Sequence, residues 1–320
     1  MQLEPDGPRA IAILRRMPPA SGFDVAGVGA NSVDSVYVLP AYPQPTGANA
    51  KMPIRTYTIA CGGQTATALA TCASLGLRTK YVGVTGTDGN GRRIRAALTR
   101  LGVDLSDAVI RDAPNQFSVI LLDEQHGERI VLWDDNERLR LRARELTADA
   151  IVGARAIHVD DLDEQAALRA AALGREAGAL VTSDIDRVTA DTRALVRSVT
   201  HPIFAEHVPA ALTGERDLER ALRSLRALNG GLLTVTLGAR GAMALDGDRI
   251  LAVPGFSVKV VDTTGAGDVF RGAFIHALLA GLASADILRF ANAAAAVSCT
   301  RLGAMDGVPT LDEVGEILGA

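Results

Sequence analysis

From residue 150 onward the sequence alternates strand and helix signals at short, regular intervals, and this rhythm restricts the fold more than any other feature. The apolar run "AIHVD" (156–160) precedes a helical stretch from Glu164 to Ala177, and "ALVTSD" (179–184) precedes one from Ala190 to Val199. "PIFAE" (202–206) leads to a helix from Arg216 to Leu228, and "LLTVTLG" (232–238) closes the series. Strands joined by helices of this length return in the same direction, so the pattern predicts a parallel sheet with helices on both faces.

The upstream half supplies more of the same sheet and something different. "FDVAGVGANSVD" (23–34) reads as a buried strand running into a Gly-rich loop, "GGQTATALATCASLG" (62–76) as a helix stopped by Gly76, and "TKYVGVTG" (79–86) as another strand. "NGRRIRAALTRLG" (90–102) is an amphipathic helix with arginines on its outer face. Four prolines break "SVYVLPAYPQPTGANAKMPIRTYTIA" (35–60) into short edge-strand pieces. "QFSVILLDEQHGERIVLW" (116–133) predicts a hairpin turning at Gly127. Its strands are apolar on consecutive positions, which predicts cover on both faces and makes the hairpin a candidate lid.

Hydrophobic residues make up 48% of the chain, enough for a large core, and the net charge of −4 gives no electrostatic footprint for nucleic acid or an anionic membrane. A small-molecule partner is the expectation. Cys61, Cys72 and Cys299 show no metal spacing and suit a reducing compartment. The N-terminal apolar run, Ala10 to Leu14, is too short for a signal sequence or membrane span. Residues 1–22 are read as a tail, residues 23–320 as one domain, and the protein as cytoplasmic.

The chemistry concentrates in "VVDTTGAGDVFRGAF" (260–274), read as a strand-to-helix junction. Gly265 and Gly267 allow close backbone approach and leave the first helical N–H groups pointing outward, a cradle for phosphate. Asp268 falls in the first turn. It is either a capping carboxylate or a general base that takes a proton from a hydroxyl nucleophile, and the residues alone leave both open.

This stretch resembles the C-terminal signature of the ribokinase-like, or phosphofructokinase-B, carbohydrate kinases. "VGVTGTDGNG", the two-glycine helix start at Gly62 and the late "TLGARG" resemble the same family, so the likeness spans about residues 23–318. It implies an α/β fold with a Rossmann-like central parallel sheet, helices on both faces, and a small β-sheet lid from about residues 36–59 and 115–134. It also implies transfer of the ATP γ-phosphoryl to a sugar hydroxyl, a ketose or pentose being favoured, with Asp268 as base and Gly265, Ala266 and Gly267 as anion hole. By the same resemblance Asp34, on the loop after the first strand, binds sugar hydroxyls, with Asn31 beside it and the amides of Gly62 and Gly63 facing the sugar. Thr67 stands where the family commonly has a substrate-touching Asn. Thr236, Gly238, Gly241 and Thr264 fall at the nucleotide, Asn292 faces the adenine, and Asp262 marks a monovalent-cation (K⁺) site.

The sequence departs from the family where an Asn-x-x-Glu pair helps order Mg²⁺. Ala205 and Val208 occupy those positions, leaving Asp184 and Glu206 as replacement metal ligands. Lys51, Arg55 and Arg129 in the lid keep a phosphosugar acceptor open, alongside a nucleoside or an amine-linked sugar. A non-catalytic sensor is the alternative from another class, and the intact "GAGD" argues against it. Dimerisation through the lids would cover the two-faced hairpin.

Overall fold

The computed structural model describes residues 7–15, 22–125, 129–134 and 136–319. The strands are β1 (Val25–Val28), β2 (Ser32–Leu39), β3 (Thr56–Gly62), β4 (Thr79–Val82), β5 (Val84–Gly86), β6 (Val109–Arg111), β7 (Phe117–Asp123), β8 (Arg129–Trp133), β9 (Ala156–Asp160), β10 (Leu180–Ile185), β11 (His201–Ala205), β12 (Leu233–Thr236), β13 (Ala242–Asp246) and β14 (Arg249–Val253). Eight of them form the main sheet, ordered β14-β13-β12-β11-β10-β9-β1-β4. From β4 to β12 every pairing is parallel, and the β13–β14 hairpin adds an antiparallel edge.

Burial on both faces explains why these strands read as continuous apolar runs. Successive side chains on β11 enter opposite cores: Ile203 packs in the one containing Leu69, Phe274 and Phe290, and Phe204 in the one containing Leu195 and Leu222. The first core belongs to helices Gln64–Ser74, Ala266–Leu279 and Ser284–Ser298, the second to Glu164–Glu176, Thr192–Ser198 and Leu218–Leu225. This is the ribokinase-like α/β architecture expected from the sequence.

A second sheet, ordered β3-β2-β7-β8, stands apart from the first. Its central pair, β2 and β7, is parallel, and β3 and β8 are antiparallel edges. β2 begins at Ser32, which pairs with Gly62 at the end of β3, so Asp34 lies on a strand paired with Ala60 and Ser118, not on a loop. The chain's own core does not cover β8, where every residue from Arg129 to Trp133 is exposed. An edge strand has one neighbour, and nothing among the described residues lies over its outer face. The turn at Gly127 falls outside the described residues.

Two further segments differ from the reading of the sequence. Gly7–Leu14, inside the stretch read as a tail, is a helix that buries Leu14 in the first core, while Arg15 pairs with Asp312. The chain between Pro254 and Val260 is not a strand: Val260 and Val261 are exposed, and Val261 N–H reaches the Cys299 carbonyl at 2.8 Å. Pro254 and Gly255 end β14, and the chain then forms a cavity wall rather than pairing in the sheet. No helix among the described residues is long and apolar enough to cross a membrane.

Candidate active site

Two cavities meet at the carboxyl ends of the parallel strands, where open α/β sheets bind ligands. One, about 440 Å³, lies under the lid sheet and is lined by Asp34, Gly63, Asp184, Gly265, Gly267 and Asp268, among others. The second, about 660 Å³ and more apolar, is walled by Gly238, Gly241, Phe256, Ala266, Phe270 and Asn292.

The helix Ala266–Leu279 starts between them. Its N-cap, Gly265, has φ 76°, and a Cβ there would lie 2.4 Å from the Ala304 Cβ, so glycine is required on two counts. Ala266 N–H bonds the Thr263 carbonyl at 3.3 Å and Val269 N–H the Gly265 carbonyl at 2.9 Å. The amides of Gly265, Gly267 and Asp268 have no acceptor among the described residues. Unpaired amides at a helix start are suited to receive an anion.

Asp268 is half-buried on the wall of the smaller cavity, and burial pushes its carboxyl up to about 7, against the opposing pull of Arg271. A carboxyl with that value accepts a proton near neutral pH. Arg271, one turn further along the helix, is buried, and its Nη2 lies 2.6 Å from Asp184 Oδ1. Burial raises the Asp184 carboxyl well above its ordinary value, which the arginine opposes.

Across the cavity, Asp34 Oδ1 accepts hydrogen bonds from Ser32 Oγ at 2.7 Å and Ser118 Oγ at 2.6 Å. Oδ2 has no partner among the described residues. Burial raises this carboxyl too, and the two hydroxyls oppose the shift. Gly62 is forced by the same group, since a Cβ would sit 2.5 Å from Asp34 Oδ2. Gly63 caps the helix Gln64–Ser74 with φ 98°, and a Cβ there would lie 2.4 Å from the Asn31 Cα.

The remaining candidates separate. Asn31 lines the cavity, but its Nδ2 donates to Tyr81 Oη at 2.8 Å and the Val84 carbonyl at 2.7 Å, and its Oδ1 accepts from Asn115 Nδ2 at 3.0 Å. It holds the wall in place. Thr67 is fully buried behind Gly265 and does not line the cavity, because the helix turns it inward. Thr236 lines both cavities. Gly238 and Gly241 shape the turn after β12 with φ 58° and 91°. Asn292 Nδ2 donates to the carbonyls of Val253 and Pro254 at 3.0 and 3.1 Å, pinning the wall of the larger cavity. Asp262 uses both oxygens on backbone amides, Thr264 at 2.8 Å and Gly303 at 2.9 Å, so its carboxylate ties two loops together. Glu206 pairs with Arg240 and lines neither cavity, so the geometry does not bring it to Asp184 as a metal ligand. No cluster of three or more metal-binding side chains occurs among the described residues.

Reasoning from sequence missed Asp186, Arg187 and Ser118. The first two follow β10 at the edge of the sheet where ligands bind, and that position was the available signal.

Unpaired helix amides beside an acid on the wall of a polar cavity are an arrangement compatible with phosphoryl transfer. The chain belongs to the pfkB family of carbohydrate kinases, whose family model matches residues 30–311. It is therefore an ATP-dependent kinase of a sugar or nucleoside, a phosphotransferase with an alcohol acceptor. It is 25% identical over 295 residues to a nucleoside kinase of Methanothermobacter thermautotrophicus, covering 91% of this chain and 94% of the relative. It is 30% identical over 283 residues to fructokinase-1 of Zea mays, covering 80% and 88%. The crystal structure of ribokinase from Thermotoga maritima superposes with a TM-score of 0.79 at 22% identity, covering 93% of this chain and all of that one (100%).

Proposed function

We propose that this kinase phosphorylates a hydroxyl of a small free sugar, of ketose or pentose type, held in the 440 Å³ cavity. The observation that carries the reading is the opposition of Asp34, with one oxygen fixed by two serines and the other open, to Asp268 beside unpaired helix amides. A carboxylate oxygen held in one direction selects hydroxyl donors, which suits a polyol. Asp34 orients the sugar, with Gly63 lining the cavity beside it and Gly62 packed against the Asp34 carboxylate outside the cavity wall. Asp268 removes the proton of the attacking hydroxyl. The cradle amides of Gly265 and Gly267 hold the charge on the transferring group.

The larger cavity receives the nucleotide, with Thr236, Gly238, Gly241 and Asn292 around it, while Thr264 lines the smaller cavity beside the helix amides. Magnesium, when bound, neutralises phosphate charge, and one or two carboxylates plus phosphate and water satisfy it. Asp186 lines the cavity, is exposed, and has no protein partner for its carboxylate among the described residues, so it fits that task better than Asp184, which Arg271 holds. A coupled ADP-release screen over ketoses, aldoses, sugar phosphates and nucleosides tests the assignment. Turnover with a free sugar supports it, and turnover confined to nucleosides or sugar phosphates refutes the acceptor class.

A phosphosugar is the second reading. Arg129 and Arg187 line the same cavity and favour an anionic acceptor.

A further inference from the structure

Four residues line both cavities: Arg129, Thr236, Thr263 and Gly267. A group passing from a nucleotide in the larger cavity to an acceptor in the smaller one must cross this shared rim. Arg129 is the one charged member of the four and the one carried by the lid sheet, at the start of β8. Its Nη1 donates to Thr263 Oγ1, two residues before the N-cap of the cradle helix.

The other arginines of the smaller cavity are committed. Arg271 lies against Asp184, and Arg187 is held by Asp161 at 3.1 Å with its guanidinium over the Trp133 ring. Arg129 has no carboxylate partner among the described residues. A guanidinium carries five donors, and here a neutral hydroxyl occupies one. Phosphoryl transfer spreads negative charge over three equatorial oxygens, and the amides of one helix end approach from one side only.

We propose that Arg129 crosses the rim to the γ-phosphoryl group, so that the lid supplies the cation facing the helix cradle and Thr263 holds the guanidinium in place before the nucleotide arrives. Lid position and phosphoryl contact are then one event, because the side chain that reaches the phosphate is part of the sheet covering the acceptor. The inference rests on the kinase reading above and adds a residue to it.

The test is calorimetric, with Mg²⁺ present, using β,γ-imido-ATP and ADP on the wild-type chain and on Arg129→Ala and Arg129→Lys. Arg129→Ala should weaken β,γ-imido-ATP about 10- to 100-fold while ADP changes less than about 3-fold, with Arg129→Lys between them. Equal losses for both nucleotides, or none, overturn the proposal. So does an intact β,γ-imido-ATP affinity accompanied by a raised KM for a phosphorylated acceptor, which would place Arg129 on the acceptor instead. A wild-type chain that binds neither nucleotide refutes the kinase reading itself, and this inference with it.

Discussion

Replacing Asp268 by Asn should move activity and stability in opposite directions. The amide keeps the size of the carboxyl but cannot accept a proton, so turnover should fall about 10²- to 10⁴-fold, the usual contribution of a general base. Stability follows from the same burial. The native carboxyl is raised from 3.8 to about 7. A group raised in the folded state carries no penalty below its unfolded value, and stability is lost as pH climbs through the folded one. At pH 8 the ceiling on that loss is about 4 kcal/mol. Asp268 is only half-buried and faces a cavity, and solvent should reduce the loss to on the order of 1–2 kcal/mol. Asp268→Asn should therefore raise the Tm at pH 8 by a few degrees, roughly 2–4 °C per kcal/mol, and the gain should vanish near pH 4. Coupled ADP release and thermal melts at the two pH values give both numbers. Turnover within about 10-fold of wild type would exclude Asp268 as the base, and a Tm lowered at pH 8 would exclude a burial penalty on its carboxylate.

Asp34→Ala leaves two serine hydroxyls without their acceptor and the acceptor hydroxyls unheld. It should raise the KM for sugar by about 10- to 100-fold while leaving the KM for ATP unchanged in the same assay. Gly265→Ala forces a side chain into a left-handed position 2.4 Å from Ala304, and should abolish turnover and lower the Tm measurably. Arg271→Met strands the buried Asp184 carboxylate, costing about 3–5 kcal/mol in denaturant unfolding. If it folds, the acidic limb of its pH–rate profile should move upward, because the group opposing the rise at Asp268 is gone. Glu206→Ala removes only an exposed ion pair and should leave turnover and stability within about 0.5 kcal/mol of wild type.

The parallel sheet was legible because each buried strand from β9 to β12 is a short apolar run set off by helical periodicity. Such a signal survives any tertiary detail. The helix start at Gly265 was legible too, since glycine at its left-handed N-cap is a backbone requirement written directly in residue type. What escaped was decided by pairing between distant segments. Asp34 reads as a loop residue until β3 and β7 pair on either side of β2. Val260 and Val261 look like a strand, yet β14 already forms the sheet edge, so Val260 walls a cavity and Val261 bonds the Cys299 carbonyl instead. Thr67 occupies a register position in a helix whose rotation only packing sets, and it turns inward. Arg129 is one arginine among many in the sequence. Its place on the shared rim depends on how the lid sheet stands over the helix Ala266–Leu279.

In the proposed reaction one acid and one set of helix amides act on the same phosphoryl group. A crystal structure with β,γ-imido-ATP and a sugar found by the screen tests it most directly. The terminal phosphate should sit on the amides of Gly265, Gly267 and Asp268, with one sugar hydroxyl within about 3.2 Å of the Asp268 carboxylate and pointing at phosphorus. A terminal phosphate bound away from those amides, or a sugar whose hydroxyls all turn from Asp268, would contradict the account.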